Sequence, residues 1–158
     1  MGGGDVRTDV GTRARIVQAE ELPDGRWAVV ALGVERIRVD RWLPDDPYPR
    51  AEVTPWPDVP GDDTTGADAD PRPGITVLVR RAGALVRELG HPGAPLDLEL
   101  DGDPVVDSYQ AMLAAPLGPA DRQELLAAPT LGERWSLLHD RLTEQIELLE
   151  ARLAFGGG

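Results

Sequence analysis

The chain contains no cysteine and no lysine. Without cysteine there is no disulfide, no thiolate nucleophile and no sulfur ligand for zinc, which fits a reducing, cytoplasmic setting. Without lysine, the 16 basic residues are all arginine. A Walker-A loop needs its lysine on the phosphates, a Schiff-base enzyme needs a lysine amine, and a Ser–Lys dyad needs a lysine base. All three chemistries are excluded. Positive charge is scarce too: 28 Asp and Glu leave a formal net charge of −12, the wrong sign for a surface that neutralises phosphates. No apolar run approaches a membrane span, and the opening Met-Gly-Gly-Gly-Asp has no apolar signal core. The composition therefore implies no nucleic-acid partner and no membrane. With 158 residues, the chain is one domain, or one small domain with a helical extension.

What is present begins with a period of two between Gly11 and Trp56. Arg13-Ala14-Arg15-Ile16-Val17 runs on to Leu22 as a first strand, and Pro23-Asp24-Gly25 supplies a turn. The return strand, Arg26 to Leu32, is apolar on both faces, the pattern of an interior strand. After Gly33, Glu35 to Asp40 alternates, with Ile37 and Val39 on one face and Arg36, Arg38 and Asp40 on the other. Ala51 to Thr54 forms a fourth strand, ended by Pro55 and Pro57. Four strands in a meander are expected. Residues 57–73, rich in Pro, Gly, Asp and Thr, read as a disordered acidic loop. Asp62, Asp63, Asp68 and Asp70 lack the spacing and the closing Glu of an EF-hand loop, so no metal is expected there.

From about residue 74 the period becomes 3.6. Ile75, Leu78, Val79, Ala82, Leu85, Val86 and Leu89 make one apolar stripe on a helix that Gly90 caps and Pro92 stops, and its natural place is against the sheet. Leu96 to Leu100 alternates, as either a fifth strand or an extended linker. Asp103-Pro104 is an N-cap with proline at N1, opening a short helix with Val105, Val106, Tyr109, Met112 and Leu113 on its buried side. Pro119 opens another helix, and Thr130-Leu131-Gly132-Glu133 is a capping box for the longest one, up to about Phe155. Its stripe is Leu131, Trp135, Leu138, Leu142, Ile146, Leu149 and Leu153. The implied division is a β-rich part over residues 1–101, including the helix at about 74–90, and a helical part over 102–158.

Catalytic signals are thin. Ser136 and His139 share a helix face with Asp140 beside them, yet nothing in the sequence supplies an oxyanion hole or an orienting acid. His91 reads as a loop histidine and Ser108 as a capping residue. No catalytic residue, cofactor or metal is assigned. Among the four tryptophans, Trp27 and Trp135 sit in apolar patterns and are expected in the core. Trp42 and Trp56 flank a proline-rich segment around Tyr48; they either pack under that loop or line an apolar groove. Trp42, Tyr48 and Trp56 are thus the candidate substrate-binding residues.

The order Val10-Gly11-Thr12-Arg13-Ala14-Arg15-Ile16, Asp24-Gly25-Arg26-Trp27, Gly33 to Val39 and Tyr48-Pro49-Arg50-Ala51-Glu52-Val53 resembles the substrate-binding N-terminal domain of Lon proteases. Leu125-Leu126 through Glu133-Arg134 to Leu137-Leu138 is similar to that family's helical segment. The resemblance implies an α+β fold: a PUA-like β pseudobarrel or meander sheet, then a helical subdomain with a long C-terminal helix. Its implied role is non-enzymatic recognition of unfolded or damaged polypeptides, as an adaptor with a partner protease or as a homo-oligomer. An RNA-binding PUA-like module and a small hydrolase using Ser136 and His139 are the alternatives. Family members usually carry further strands and a helix before the Gly-Thr-x-Ala stretch. Their absence implies an upstream start or an unpaired strand edge that aggregates, dimerises or accepts a client strand.

Overall fold

The computed structural model describes residues 7–58, 70–93 and 97–156. The elements run β1 (Val10–Glu21), β2 (Trp27–Leu43), β3 (Arg50–Pro55), α1 (Arg72–Glu88), α2 (Pro104–Ala114), α3 (Pro119–Ala127) and α4 (Leu131–Gly156). They fall into two compact units, Met1–Pro57 and Asp58–Gly158. The class is α+β. Most of the acidic loop and Leu96 lie outside the described residues.

In the first unit the three strands form one antiparallel meander of order β1-β2-β3. Two expected strands are one: β2 runs 17 residues from Trp27 to Leu43, straight through Gly33. Gly33 pairs with Ala14 and Glu35 with Arg13, so Val34 is the extra residue of a bulge. The glycine bends the strand without ending it. A second bulge leaves Val17 unpaired in β1, between the pairs Ile16–Ala31 and Gln18–Val30. The turn is as its residues dictate. Gly25 N–H donates to Leu22 O at 2.9 Å, Leu22 N–H donates to Arg26 O at 2.7 Å, and Gly25 has φ of +79°. This is a three-residue loop closed by a left-handed glycine.

The second unit is built around α1 and α4. Ile75, Val79 and Ala82 of α1 are buried in one cluster with Trp135, Leu138, Leu142, Ile146 and Leu149 of α4. Within this unit the α1 stripe thus packs on a helix, where its period led us to expect a sheet. A 3.6-residue stripe specifies an apolar neighbour but not its secondary structure. Gly90, at φ +82°, closes α1 with a Schellman pair: Gly90 N–H to Arg87 O and His91 N–H to Val86 O. Residues 97–100 form no strand; Leu100 is buried and Leu98 partly buried in the helical cluster, so the stretch is a linker.

Asp103 caps α2 as expected, accepting from Val105 N–H and Val106 N–H. The buried face of α2 is rotated from the expected one. Val106 and Leu113 are exposed, whereas Asp107, Ser108, Ala111 and Met112 are buried. Polar residues sit inside because charged partners meet them there. The α4 capping box is complete: Glu133 N–H donates to Thr130 Oγ1 at 3.2 Å, and Thr130 N–H to Glu133 Oε2 at 3.0 Å.

Candidate functional site

Strand alternation and register define two faces of the β1–β2 hairpin. Ile16–Ala31, Ala19–Val29 and Glu21–Trp27 are cross-strand partners on one face; Arg15–Leu32, Gln18–Val30 and Glu20–Ala28 are partners on the other. Among the described residues of this unit, neither face is covered. Ile16, Val29 and Trp27 are 63%, 51% and 60% exposed; Val30 and Leu32 are both 54% exposed. Val17 and Val34, the two bulge residues, are also more than half exposed. Trp27 therefore lies at the surface, contrary to its apolar surroundings in sequence, while Trp135 is buried as expected. The reason is registral: β3 pairs only with the Ile37–Leu43 part of β2, leaving Trp27–Val34 with a neighbour on one side alone. Two-sided apolar character normally marks a strand inside a sheet. Here it marks a strand whose second neighbour is absent among the described residues.

The hairpin surface is shallowly concave where the Val34 bulge meets β1, lined by Arg13, Ala14, Arg15, Leu32, Gly33 and Val34. The three aromatic candidates lie further along the same unit. Tyr48 is 65% exposed in the β2–β3 connection. Trp42 is partnered with Ala51 in the register and has the Arg7 guanidinium 4.8 Å from its ring centroid. Trp56 lies under two guanidinium groups, Arg36 at 4.0 Å and Arg38 at 4.7 Å. Its N–H donates to Arg36 O at 2.8 Å, and Arg36 Nε donates to Trp56 O at 3.1 Å. The pairs Arg38–Thr54, Val39–Val53, Arg41–Glu52 and Trp42–Ala51, with Asp40 unpaired, put Trp42 on the sheet face opposite Arg38 and its Trp56. The three aromatics are thus dispersed over this unit.

Arginines of the sheet are mostly tied to acids, which keeps the surface from becoming a basic patch. Arg13 pairs with Glu35 at 2.9 Å, Arg26 with Asp24 at 2.7 Å and Arg41 with Glu52 at 2.7 Å. Residues 1–57 hold eight arginines against ten acids, and residues 58–158 hold eight against 18.

In the helical unit a buried polar cluster escaped the sequence reading. Arg134 is fully buried; its Nε donates to Leu125 O at 3.2 Å and its Nη1 to Ser108 Oγ at 3.0 Å. Its Nη2 meets Asp58 Oδ1 in an ion pair, and its guanidinium lies 4.3 Å from the Tyr109 ring centroid. Tyr109 hydroxyl donates to Asp58 Oδ2 at 2.8 Å. Nearby, Arg72 Nη1 donates to buried Asp107 at 3.1 Å and Arg72 Nε to Asp70 at 2.8 Å. The Arg72 guanidinium holds the Asp70 carboxyl below its ordinary value, and its own pKa is raised in turn. These groups are occupied by one another, which makes them struts, not acid–base machinery. No local sequence pattern marks these residues, because their burial depends on partners far apart in the chain.

Ser136 is exposed, and His139 Nδ1 lies 3.4 Å from Asp140 Oδ1 on an exposed face. No hydrogen bond joins Ser136 to His139 among the described residues. The described residues contain no group of three or more His, Cys, Asp or Glu placed to hold a metal ion. Asp62, Asp63 and Asp68 lie outside the described residues. None of the described helices is long and apolar enough to cross a membrane.

A sequence model of the ATP-dependent protease La (LON) substrate-binding domain matches residues 4–144. The chain belongs to this family. Lon protease 1 of Herpetosiphon aurantiacus is 24% identical over 147 residues, covering 89% of this chain and 17% of that protein. Lon protease 2 of the same organism is 29% identical over 143 residues, again covering 89% and 17%. This Lon-domain chain thus spans about a sixth of the curated relatives it matches. In structure it is similar to the N-terminal domain of Mycobacterium avium complex Lon protease, with a TM-score of 0.57 and 21% identity. That match covers 90% of this chain and 74% of the other.

Proposed function

We propose that this Lon-type domain is a non-catalytic recognition module for exposed apolar stretches of unfolded or damaged polypeptides, acting as an adaptor beside a partner protease in the cytoplasm. The observation that carries the reading is the β1–β2 hairpin, where seven large apolar side chains are each more than half exposed. Soluble monomers seldom leave large apolar side chains bare on both faces of a hairpin unless it binds something. An extended client could add its backbone to the free side of Trp27–Val34, with apolar side chains on both faces receiving its own. Trp42 and Tyr48 extend the surface toward the other end of β2, and Trp56, held by Arg36 and Arg38, supports it. With no lysine, these 158 residues cannot themselves form a Ser–Lys dyad, which supports recognition as their role.

The test is fluorescence anisotropy with a labelled, permanently unfolded polypeptide. Val30→Asp with Leu32→Asp places two charges on an exposed face, so stability stays within about 1 kcal/mol while client affinity falls about tenfold or more. Alanine at Trp42, Tyr48 and Trp56 together is the companion variant for the aromatic part of the surface. Unchanged affinity in the Asp variant overturns the hairpin as the site. Binding to RNA with a steep salt dependence would favour the nucleic-acid alternative.

A further inference from the structure

The outer edge of β1 carries a second message, independent of client binding. β1 spans 12 residues without a proline, and β2 is its sole strand neighbour among the described residues. Its charges are arranged by sign: Arg13 and Arg15 lie before the apolar centre at Ile16–Val17, and Glu20 and Glu21 after it. Arg15, Glu20 and Glu21 have no ion-pair partner in their own chain among the described residues, whereas Arg13 has Glu35.

We infer that β1 pairs antiparallel with β1 of a second copy of this chain about a two-fold axis. Antiparallel self-pairing brings the basic half of each edge onto the acidic half of the other, while parallel pairing sets arginine against arginine. Strand edges are usually protected by charge repulsion; this one is complementary to itself. An isologous contact then makes each favourable pair twice.

The bulge decides the register. In a regular strand, residues 15 and 20 would point to opposite faces. Because Val17 is extra, Arg15 and Glu20 face the same way, as shown by their partners Leu32 and Ala28, four residues apart on an unbroken stretch of β2. Setting Arg15 opposite Glu20 of the second copy puts Ile16 opposite Ala19, also on a shared face, and Val17 opposite Gln18. Arg13 then sits diagonally from Glu20 of the second copy, within reach of a long side chain. Where β3 does not reach, each hairpin has two strands alone, and the contact makes them four, β2-β1 from one copy and β1-β2 from the other. Two strands alone are marginal in water, whereas three or more with an apolar face are more stable. The apolar faces stay open and are doubled in extent.

Sedimentation velocity of the full chain at micromolar concentration tests the contact. The wild type is expected as a dimer. Arg15→Glu alone and Glu20→Arg alone each set like charges opposite one another and are expected as monomers. Mixing the two single variants restores a dimer, and so does combining both changes in one chain. A wild-type monomer at every concentration, or a dimer indifferent to all these changes, overturns the proposal.

Should the charge variants fail to fold, thiols read the register directly, since the chain has no cysteine of its own. Ile16→Cys mixed with Ala19→Cys is expected to give a disulfide-linked heterodimer on mild oxidation. Absence of that cross-link, in a mixture that still sediments as dimer, overturns this register and with it the proposed edge pairing.

Discussion

Arg134 is the residue on which most of the helical unit's polar interior depends. Its guanidinium holds Asp58, Ser108 and the Leu125 carbonyl while lying on the Tyr109 ring. Removing it strips the Asp58 carboxylate of its counter-charge and Ser108 Oγ of the guanidinium donor, while Tyr109 hydroxyl still donates to Asp58. Arg134→Ala is therefore expected to lower stability by about 3–5 kcal/mol, the cost of breaking a buried ion pair. Asp58→Asn keeps an acceptor and costs less. Urea denaturation followed at 222 nm checks the order of the two. In sequence Arg134 is one arginine among 16, inside a segment legible as helix by its capping box. Burial depends on Asp58 arriving from 76 positions away, which no local pattern encodes. Trp27 errs in the other direction: its neighbours read as core, and register leaves it exposed.

At the scale of elements, local chemistry was legible wherever a cap or turn does the work. Asp103, Gly90, Pro23-Asp24-Gly25 and Thr130–Glu133 act as their residue types dictate. Thr130→Ala removes the side-chain half of the α4 box and is expected to cost about 1 kcal/mol. Thermal unfolding measures it, and Thr130→Ser should recover most of the loss. In sequence Gly33 marks a strand boundary, because glycine weakens strands. In the sheet it sits beside a bulge, and pairing with Ala14 on one side carries the strand onward. The α2 face differs from its apolar pattern because burial there follows ion pairs and hydroxyl bonds instead of hydrophobicity. Asp107 is held by Arg72, and Ser108 by the Val105 carbonyl and Arg134.

Across the whole molecule, the acidic excess falls almost entirely on residues 58–158. Mild acid relieves some of that repulsion, but stronger acid removes ion pairs. Asp70, whose carboxyl is held low by Arg72, contributes stability that is complete above the ordinary aspartate pKa and lost as pH falls through its lowered value. The pair is screened by solvent, so its contribution is small. Melting temperatures across an acid series should show wild type above Asp70→Asn at neutral pH. The gap should close only on the acid side of the ordinary aspartate range. A gap independent of pH would mean that Asp70 acts through its backbone turn with Arg72, not through charge.

The sequence by itself determined what chemistry is closed to this protein, which segments turn, which are capped, and where the period changes from two to 3.6. Those properties depend on residues within a few positions of one another. Only the tertiary structure decided that α1 packs on α4, that two predicted strands are one, and that the most apolar strand lies bare. Each rests on pairing across the chain, where β3 stops short of Trp27 and Asp58 reaches Arg134. Apolar patterning states that a surface will be covered; which neighbour covers it, or whether a partner must, is set by register and packing.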